Sequence, residues 1–86
     1  MKVYIIQTDL GLNIELENRY ATSNKDIAKD LIETEIANNF DDTLTDEIMH
    51  DISQFAQDLV DGNTKNHYCD EFKGIRIWCD IMEFME

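Results

Sequence analysis

The last strand of the predicted fold is carried by the stretch Ile75-Arg76-Ile77-Trp78-Cys79-Asp80-Ile81-Met82. Apolar side chains at the odd positions alternate with polar or mixed side chains at the even positions. Successive side chains of a β-strand point to opposite faces of the sheet, so this alternation predicts a strand with two different faces. Residues 80–86 fit either a continuation of this strand or a short helical turn, and we favour the strand.

A tight turn at Lys73-Gly74 precedes this strand, and residues 67–72 before it form a predicted third strand. If the turn has two residues, Phe72 lies opposite Ile75 and Cys69 lies opposite Trp78. Cys69 and Cys79 then point to opposite faces, which makes a disulfide between them unfavourable. We expect both cysteines to be free thiols.

Upstream, the apolar period changes from two residues to that of a helix. A second helix is predicted with either Thr43 or Thr45 as its N-cap and Gly62 just beyond its C-terminus. Its apolar stripe is Ile48, Ile52, Phe55 and Leu59.

A first helix is predicted with Ser23 as its N-cap and Asp26 in its first turn. Its apolar positions are Ile27, Ala28, Leu31, Ile32, Ile36 and Phe40. The helical spacing of these residues would bury one face of the helix.

The N-terminal part is predicted to be a β-hairpin formed by residues 2–8 and 13–20 around the turn Asp9-Leu10-Gly11. The predicted fold class is therefore α+β, with the order ββααββ and two helices packed on one face of an antiparallel four-stranded sheet. The length of 86 residues predicts one domain spanning residues 1–86.

Net charge is the most unusual property of the sequence. Nineteen acidic against seven basic side chains give −12, which is large for a small domain and costs stability through self-repulsion. Direct binding to nucleic acid is not expected, because the phosphate backbone requires a basic surface. A basic protein is the favoured partner, although acidity can also serve solubility alone.

Ten of the carboxylates fall within residues 30–64, where there is no lysine or arginine. The predicted partner-binding residues are Asp30, Glu33, Asp41, Asp42, Asp46, Glu47, Asp51, Asp58 and Asp61. On the second helix, Glu47, Asp51, Asp58 and Asp61 follow a spacing that places them on one face, opposite the apolar stripe. An exposed helix usually alternates acidic and basic side chains, so the missing bases favour a functional surface over a merely solvated one.

Motifs for metal binding and catalysis are weak in this sequence. Asp46 and His50 lie one helical turn apart and Asp42 lies nearby, but the EF-hand spacing fails and no zinc-type spacing occurs. There is also no G-x-S-x-G, H-E-x-x-H or glycine-rich phosphate loop. We therefore expect a protein that is not an enzyme and has no metal, no cofactor and no catalytic residue.

No stretch of the sequence has the length and apolarity of a membrane span, and residues 1–6 lack the apolar core of a signal peptide. The expected location is the cytoplasm of a bacterial host cell, without membrane association. Isoleucine outnumbers leucine by eleven to six, a bias typical of AT-rich genomes such as those of many Gram-positive bacteria and their phages. The sequence does not determine the oligomeric state, and it is compatible with a dimer.

In size, net charge, the base-free run from Asp30 to Thr64 and its α+β plan opening with residues 1–6, the chain resembles the small acidic inhibitors of phages and mobile elements. Anti-CRISPR proteins and other DNA mimics belong to this class. The resemblance implies a stoichiometric inhibitor that docks on a nucleic-acid-binding groove of a CRISPR effector nuclease and blocks DNA binding. An AT-rich Gram-positive background would favour a Cas9-type target.

Two other classes of function remain open at this point. An immunity protein or antitoxin that neutralises a basic nuclease would use the same electrostatics. An accessory or oligomerising domain would instead bind through a sheet edge or through the surface around Trp78, without mimicry of nucleic acid.

Overall fold

A computed structural model describes residues 1–9, 19–40, 42–62 and 67–84. Its elements are β1 (Lys2–Asp9), β2 (Arg19–Thr22), α1 (Lys25–Asn39), α2 (Asp46–Val60), β3 (His67–Phe72) and β4 (Ile75–Glu83). The four strands form one antiparallel sheet in the order β2-β1-β4-β3. The predicted α+β class and the order ββααββ are confirmed.

The two longest strands, β1 and β4, lie at the centre of the sheet and form the floor of the core. Tyr4 pairs with Ile81 and Ile6 pairs with Cys79. On this face Tyr4, Ile6, Ile77 and Cys79 are buried under the helices and Ile81 is half-buried, while the intervening residues are half-buried or exposed. The alternation in residues 75–82 therefore corresponds to one covered and one open face of the sheet.

The β3–β4 hairpin has the predicted register, because Phe72 pairs with Ile75 and Cys69 pairs with Trp78. Lys73 and Gly74 both have positive φ angles, 50° and 87°, as a type I′ turn requires. Strand β4 continues to Glu83, so the strand alternative is right as far as that residue.

Cys79 is a free thiol in the core, as expected. Burial, with a smaller effect of the neighbouring Asp80 carboxylate, raises its pKa to about 11. The thiol therefore stays protonated at neutral pH and packs as an apolar side chain. The register keeps Cys69 opposite Trp78 rather than opposite Cys79.

The N-terminal hairpin agrees with the prediction only in part. Strand β2 pairs with β1 from Tyr4↔Thr22 to Gln7↔Arg19. It extends two residues beyond the predicted end at Tyr20. Residues 10–18, which include the predicted turn and most of the predicted second strand, lie outside the described residues.

Helix α1 begins one residue later than predicted, because its N-cap is Asn24 and not Ser23. The Asn24 side-chain oxygen accepts hydrogen bonds from the backbone N–H groups of Asp26, at 2.9 Å, and Ile27, at 3.2 Å. With this helical phase Ala28, Ile32 and Ile36 are buried, whereas the predicted core residue Ile27 is 49% exposed.

Helix α2 is capped by Thr45, one of the two predicted alternatives. Its hydroxyl oxygen accepts a hydrogen bond from the Ile48 N–H at 3.2 Å. Asp61 is the C-cap, and the following Gly62 donates its N–H to the Leu59 carbonyl at 3.2 Å. Within the described part of the chain, no helix is long and apolar enough to cross a membrane.

The inner stripes of both helices complete the core with Ala28, Ile32, Ile36, Ile52, Ala56, Leu59 and Val60. A group of phenylalanines extends it towards β3, where the ring of Phe72 lies 5.3 Å from that of Phe55 and 6.4 Å from that of Phe40, between centroids. The predicted core residues Phe40 and Phe55 are half-buried at this edge rather than fully buried. The helical layer is thus fixed to the sheet, and its outward positions face solvent.

The cap assignment predicts different effects for two neighbouring threonines. Thr45→Ala should lower the free energy of unfolding by about 1 kcal/mol, because the Ile48 N–H loses its acceptor. Thr43→Ala is the matched control, and its loss should stay below about 0.5 kcal/mol, as at other surface sites. Urea unfolding of both variants tests the assignment, and equal losses would contradict it.

Candidate functional site

Eight of the nine predicted partner-binding carboxylates lie on or next to the two helices. Asp30 and Glu33 belong to α1, Asp42 lies in the connector, and Asp61 is the C-cap of α2. The other four are on α2: Asp46, Glu47, Asp51 and Asp58. All are exposed except Glu33, which is half-buried. Asp41 lies outside the described residues.

The two layers of the fold differ strongly in charge. The described residues from Asn24 to Gly62 hold ten carboxylates and two lysines, a net side-chain charge of −8. The four strands and the β3–β4 turn hold five carboxylates and four basic residues, a net charge of −1. Most of the negative charge in the described chain therefore lies in the helical layer.

The centre of the negative charge on α2 is a set of three exposed carboxylates, Glu47, Asp51 and Asp58, which we call the acidic column. At about 100° per residue, these three fall within a helical sector of about 40°. They are about 6 Å and then about 10 Å apart along the axis. Gln54 lies between them and donates to Asp58 Oδ1 at 3.0 Å.

No carboxylate of the acidic column forms an ion pair within the described part of the chain. The buried residues of α2, which are Ile52, Ala56, Leu59 and Val60, lie on a different face of the helix and belong to the core, and Ile48 and Phe55 pack half-buried against it. The column is therefore held on a helix whose position is fixed by packing, and its charge is directed outward. The sequence predicted four carboxylates on this face. Glu47, Asp51 and Asp58 lie within α2, whereas Asp61 is its C-cap.

Two other predicted site residues, Asp61 and Glu33, are partly neutralised by lysines of α1. The Lys25 ammonium group at the start of α1 pairs with the Asp61 carboxylate at the end of α2. Lys29 Nζ lies 3.8 Å from Glu33 Oε1, one helical turn away. The base-free run in the sequence conceals this pairing, because both lysines precede the run.

The Lys25–Asp61 contact has an electrostatic consequence. The hydrogen bond from Lys25, followed by one from the Gln57 amide, lowers the pKa of the Asp61 carboxyl below its usual value. The same contact raises the pKa of Lys25. Asp61 therefore contributes less uncompensated charge to an approaching partner than the acidic column does.

Glu35 is the acidic residue whose position the sequence analysis missed. It is only 6% exposed. Its carboxylate accepts hydrogen bonds from the Tyr20 hydroxyl at 2.7 Å and from the Thr8 hydroxyl at 3.5 Å. The bond to Glu35, with the repulsion of its charge, raises the pKa of Tyr20. Helical spacing could have located Glu35, since it lies three residues after Ile32 on the buried face.

The residues considered for a metal site remain a surface group. Among the described residues, no three His, Cys, Asp or Glu side chains converge in a way that could hold a metal ion. The Asp42 carboxylate accepts the N–H of Thr43 at 2.8 Å. Asp42, Asp46 and His50 are all exposed.

A cleft of about 780 Å³ opens between the α1–α2 connector and the β3–β4 turn. Phe40, Ile48 and Ile75 contribute apolar surface to it, and Lys73 contributes a positive charge. Thr45, which also lines the cleft, uses its hydroxyl oxygen to cap α2. These groups form a mixed surface without an arranged nucleophile and base.

Comparison of the chain with protein-family models, curated proteins and solved structures gives no match. The functional argument therefore depends on charge and geometry. The main feature is the acidic column on α2, surrounded by further exposed carboxylates on α1 and the connector.

The Lys25–Asp61 pair predicts a measurable pH effect. Lys25→Met should raise the pKa of Asp61 towards the ordinary aspartate value of 3.8, because Lys25 is the main cause of its depression. A depressed carboxyl pKa stabilises the folded state above the unfolded-state pKa, and this stabilisation disappears as pH falls through the folded-state pKa. The variant should therefore be less stable than the wild type at neutral pH, and this difference should disappear in acid.

NMR titration of the Asp61 carboxyl carbon measures the shift directly. Lys29→Met is the matched control, because it removes a lysine from the same helix but leaves the Lys25–Asp61 contact intact. Equal shifts of the Asp61 pKa in both variants would show that the general field, and not the contact, sets its value.

Proposed function

We propose that this chain is a stoichiometric protein inhibitor whose acidic helical surface binds a basic nucleic-acid-binding groove of another protein. The observation that supports this most strongly is the separation of charge between the layers, −8 in the helices against −1 in the strands and turn. A basic groove would offset the self-repulsion of the helical layer, and that layer would occupy the place of nucleic acid.

The spacing of the acidic column suits such a groove. Phosphates follow one DNA strand at about 3.4 Å of rise per base, and they also wind around the axis. Carboxylates about 6 and 10 Å apart along α2 are on the same scale. A groove lined with Lys and Arg at phosphate-binding positions could therefore contact several of them at once.

Rigidity also supports the proposal. The acidic column lies on a helix that is anchored by Ile52, Ala56 and Leu59. Little conformational entropy is then lost when the column binds, in contrast to a flexible acidic tail. The negative field would in addition accelerate the encounter with a basic partner.

The target class that we propose is a CRISPR effector nuclease of the Cas9 type, in the cytoplasm of a bacterial host. Effectors of this kind hold the guide–target heteroduplex in a positively charged channel. A bound acidic domain would exclude DNA from that channel without any catalytic step. This target follows from the resemblance to small acidic inhibitors, and the charge separation is consistent with it.

Charge reversal of the acidic column provides the direct test. The triple variant Glu47→Lys, Asp51→Lys and Asp58→Lys should weaken binding to the effector on the order of 100-fold or more, because attractive contacts become repulsive. The measurement is the affinity of an effector–guide complex for target DNA at increasing inhibitor concentration. The wild type should abolish DNA binding at a stoichiometric ratio.

The matched control places the same charge change in the sheet layer with Asp70→Lys, Glu71→Lys and Glu83→Lys, three exposed residues of β3 and β4. This variant should retain inhibition, since it leaves α2 unchanged. If both triple variants inhibit like the wild type, the acidic column is not the binding surface. If the wild type fails on the effector but captures a basic nuclease toxin, the target class is wrong and the alternative of an immunity protein is favoured.

Salt dependence is a second, independent test of the electrostatic mechanism. Between about 50 and 300 mM NaCl, affinity for the effector should fall on the order of tenfold or more, because exposed charge pairs are screened. Titration calorimetry or surface plasmon resonance at several ionic strengths measures the slope. The column triple variant should show a smaller slope, and a salt-independent wild-type complex would contradict the mechanism.

A further inference from the structure

The face of the sheet opposite the helices is not covered in the described structure. Side-chain alternation places on it the described residues Val3, Ile5, Gln7, Arg19, Ala21, Glu71, Arg76, Trp78, Asp80 and Met82. We call this set the open face. It contains the only tryptophan of the sequence.

Half of these ten residues are apolar. Trp78, Val3 and Ile5 are half-buried, and Met82 is 42% exposed. The charged residues of this set are two arginines and two carboxylates. Asp9, which the register pairs with Arg76, adds a third carboxylate, so the strand positions on this side of the sheet sum to a net charge of −1. The guanidinium carbon of Arg76 lies 5.8 Å from the centre of the Trp78 ring, which keeps a positive charge beside the largest apolar group.

We propose that the open face is a self-association surface that packs against the same face of a second copy of this chain. This inference is separate from the proposed inhibition, because it concerns the other layer of the fold and can be tested on the isolated protein.

The different charges of the two layers are the reason for proposing a second copy of this chain as the partner at the open face. Two chains of −12 each repel one another, and contact through their helical layers would bring two surfaces of −8 together. Contact through the open faces largely avoids this, because the strand positions on that side sum to only −1 and the helical layers then lie on the outside. A strongly basic or strongly acidic partner would gain little attraction from a face on which charges of both signs nearly cancel.

The order of residues along β4 fits two-fold symmetry. Trp78 has Arg76 two positions before it and Asp80 two positions after it, each about 7 Å away along the strand. A two-fold axis midway between two facing sheets, parallel to them and perpendicular to β4 at Trp78, would place Arg76 of one copy opposite Asp80 of the other. An isologous interface requires this kind of self-complementarity.

The arrangement also matches the normal geometry of sheet packing. Face-to-face sheets lie about 10 Å apart with their strands nearly aligned, so the two Trp78 side chains would meet at the axis. Asp80 already interacts within its own chain, and a carboxylate can accept several hydrogen bonds at once.

The size of the face indicates a weak dimer. Four strands about 4.8 Å apart, with central strands of eight and nine residues, give a footprint of roughly 500 Å². A standard interface buries about 800 Å² on each partner. The expected association is therefore reversible, with a dissociation constant in the micromolar range or weaker.

Sedimentation equilibrium of the full chain over a wide concentration range measures this association. Trp78→Ala should weaken the dimer roughly tenfold or more, as expected for an aromatic residue at the centre of an interface. Met82→Glu is a second variant, at an exposed position that tolerates a polar side chain, and it should weaken the dimer in the same direction. Circular dichroism and thermal unfolding establish that each variant is folded.

A charge swap tests the contact between copies. Arg76→Asp and Asp80→Arg should each weaken the dimer, and the double variant should restore it. These two residues lie about 13 Å apart along one strand, so they cannot pair within one copy, and rescue therefore reports an intermolecular contact. Loss without rescue in a folded double variant would overturn the proposed geometry.

Salt separates this inference from the proposed inhibition. Added salt should strengthen the dimer, because it screens the repulsion between two acidic bodies, whereas it should weaken a complex with a basic groove. The acidic-column triple variant should still dimerise. A protein that stays monomeric up to millimolar concentration, or a dimer unaffected by both Trp78→Ala and Met82→Glu, would overturn the proposal.

Discussion

Burial of one face of the central strands under two helices is the constraint on which the rest of the structure depends. Because side chains alternate along β1 and β4, covering Tyr4, Ile6, Ile77 and Cys79 leaves the intervening residues on the opposite face. The helices meet the same requirement with one apolar stripe each, so their other positions must face solvent. The separation of charge follows from this packing, since the carboxylates occupy mainly the helix positions that the core does not use.

The fold could be predicted where its determinants are local. The alternation in residues 75–82 and the two-residue turn at Lys73-Gly74 fixed the register Phe72↔Ile75, since one slipped residue would have exposed every isoleucine of β4. Local chemistry does not decide where α1 begins, because Ser23 and Asn24 both have side chains suited to the N-cap. In the structure Asn24 caps the helix with two side-chain hydrogen bonds, and packing buries Ala28 and Ile32 and leaves Ile27 exposed. Which side of α1 is buried depends on tertiary packing, which local propensity does not contain.

The candidate site, like the fold, could be predicted only where it depends on local spacing. The shared face of Glu47, Asp51 and Asp58 follows from helical spacing alone. The neutralisation of Asp61 by Lys25 does not, because it joins two helices across 36 positions of sequence. Burial of Glu35 needs hydrogen bonds from Tyr20 and Thr8, which lie 15 and 27 positions away. A count of carboxylates along the sequence therefore overestimates the free charge of the surface, and only the structure separates the unpaired from the paired groups.

The distribution of the basic residues strengthens the argument that the acidic column is more than a solubilising surface. If acidity served solubility alone, the few cations would be expected to lie wherever they most reduce repulsion, and α2 is that place. Instead, the described cations lie on α1, in the strands and at the β3–β4 turn, and α2 has none. Two of these cations make specific contacts within the chain. Lys25 pairs with Asp61 and so connects α1 to α2, and the Arg76 guanidinium lies over the Trp78 ring. The carboxylates along α2 repel one another, but burial of Ile52, Ala56 and Leu59 keeps the helix in place despite this repulsion. A basic partner would relieve the repulsion, and this relief would favour binding.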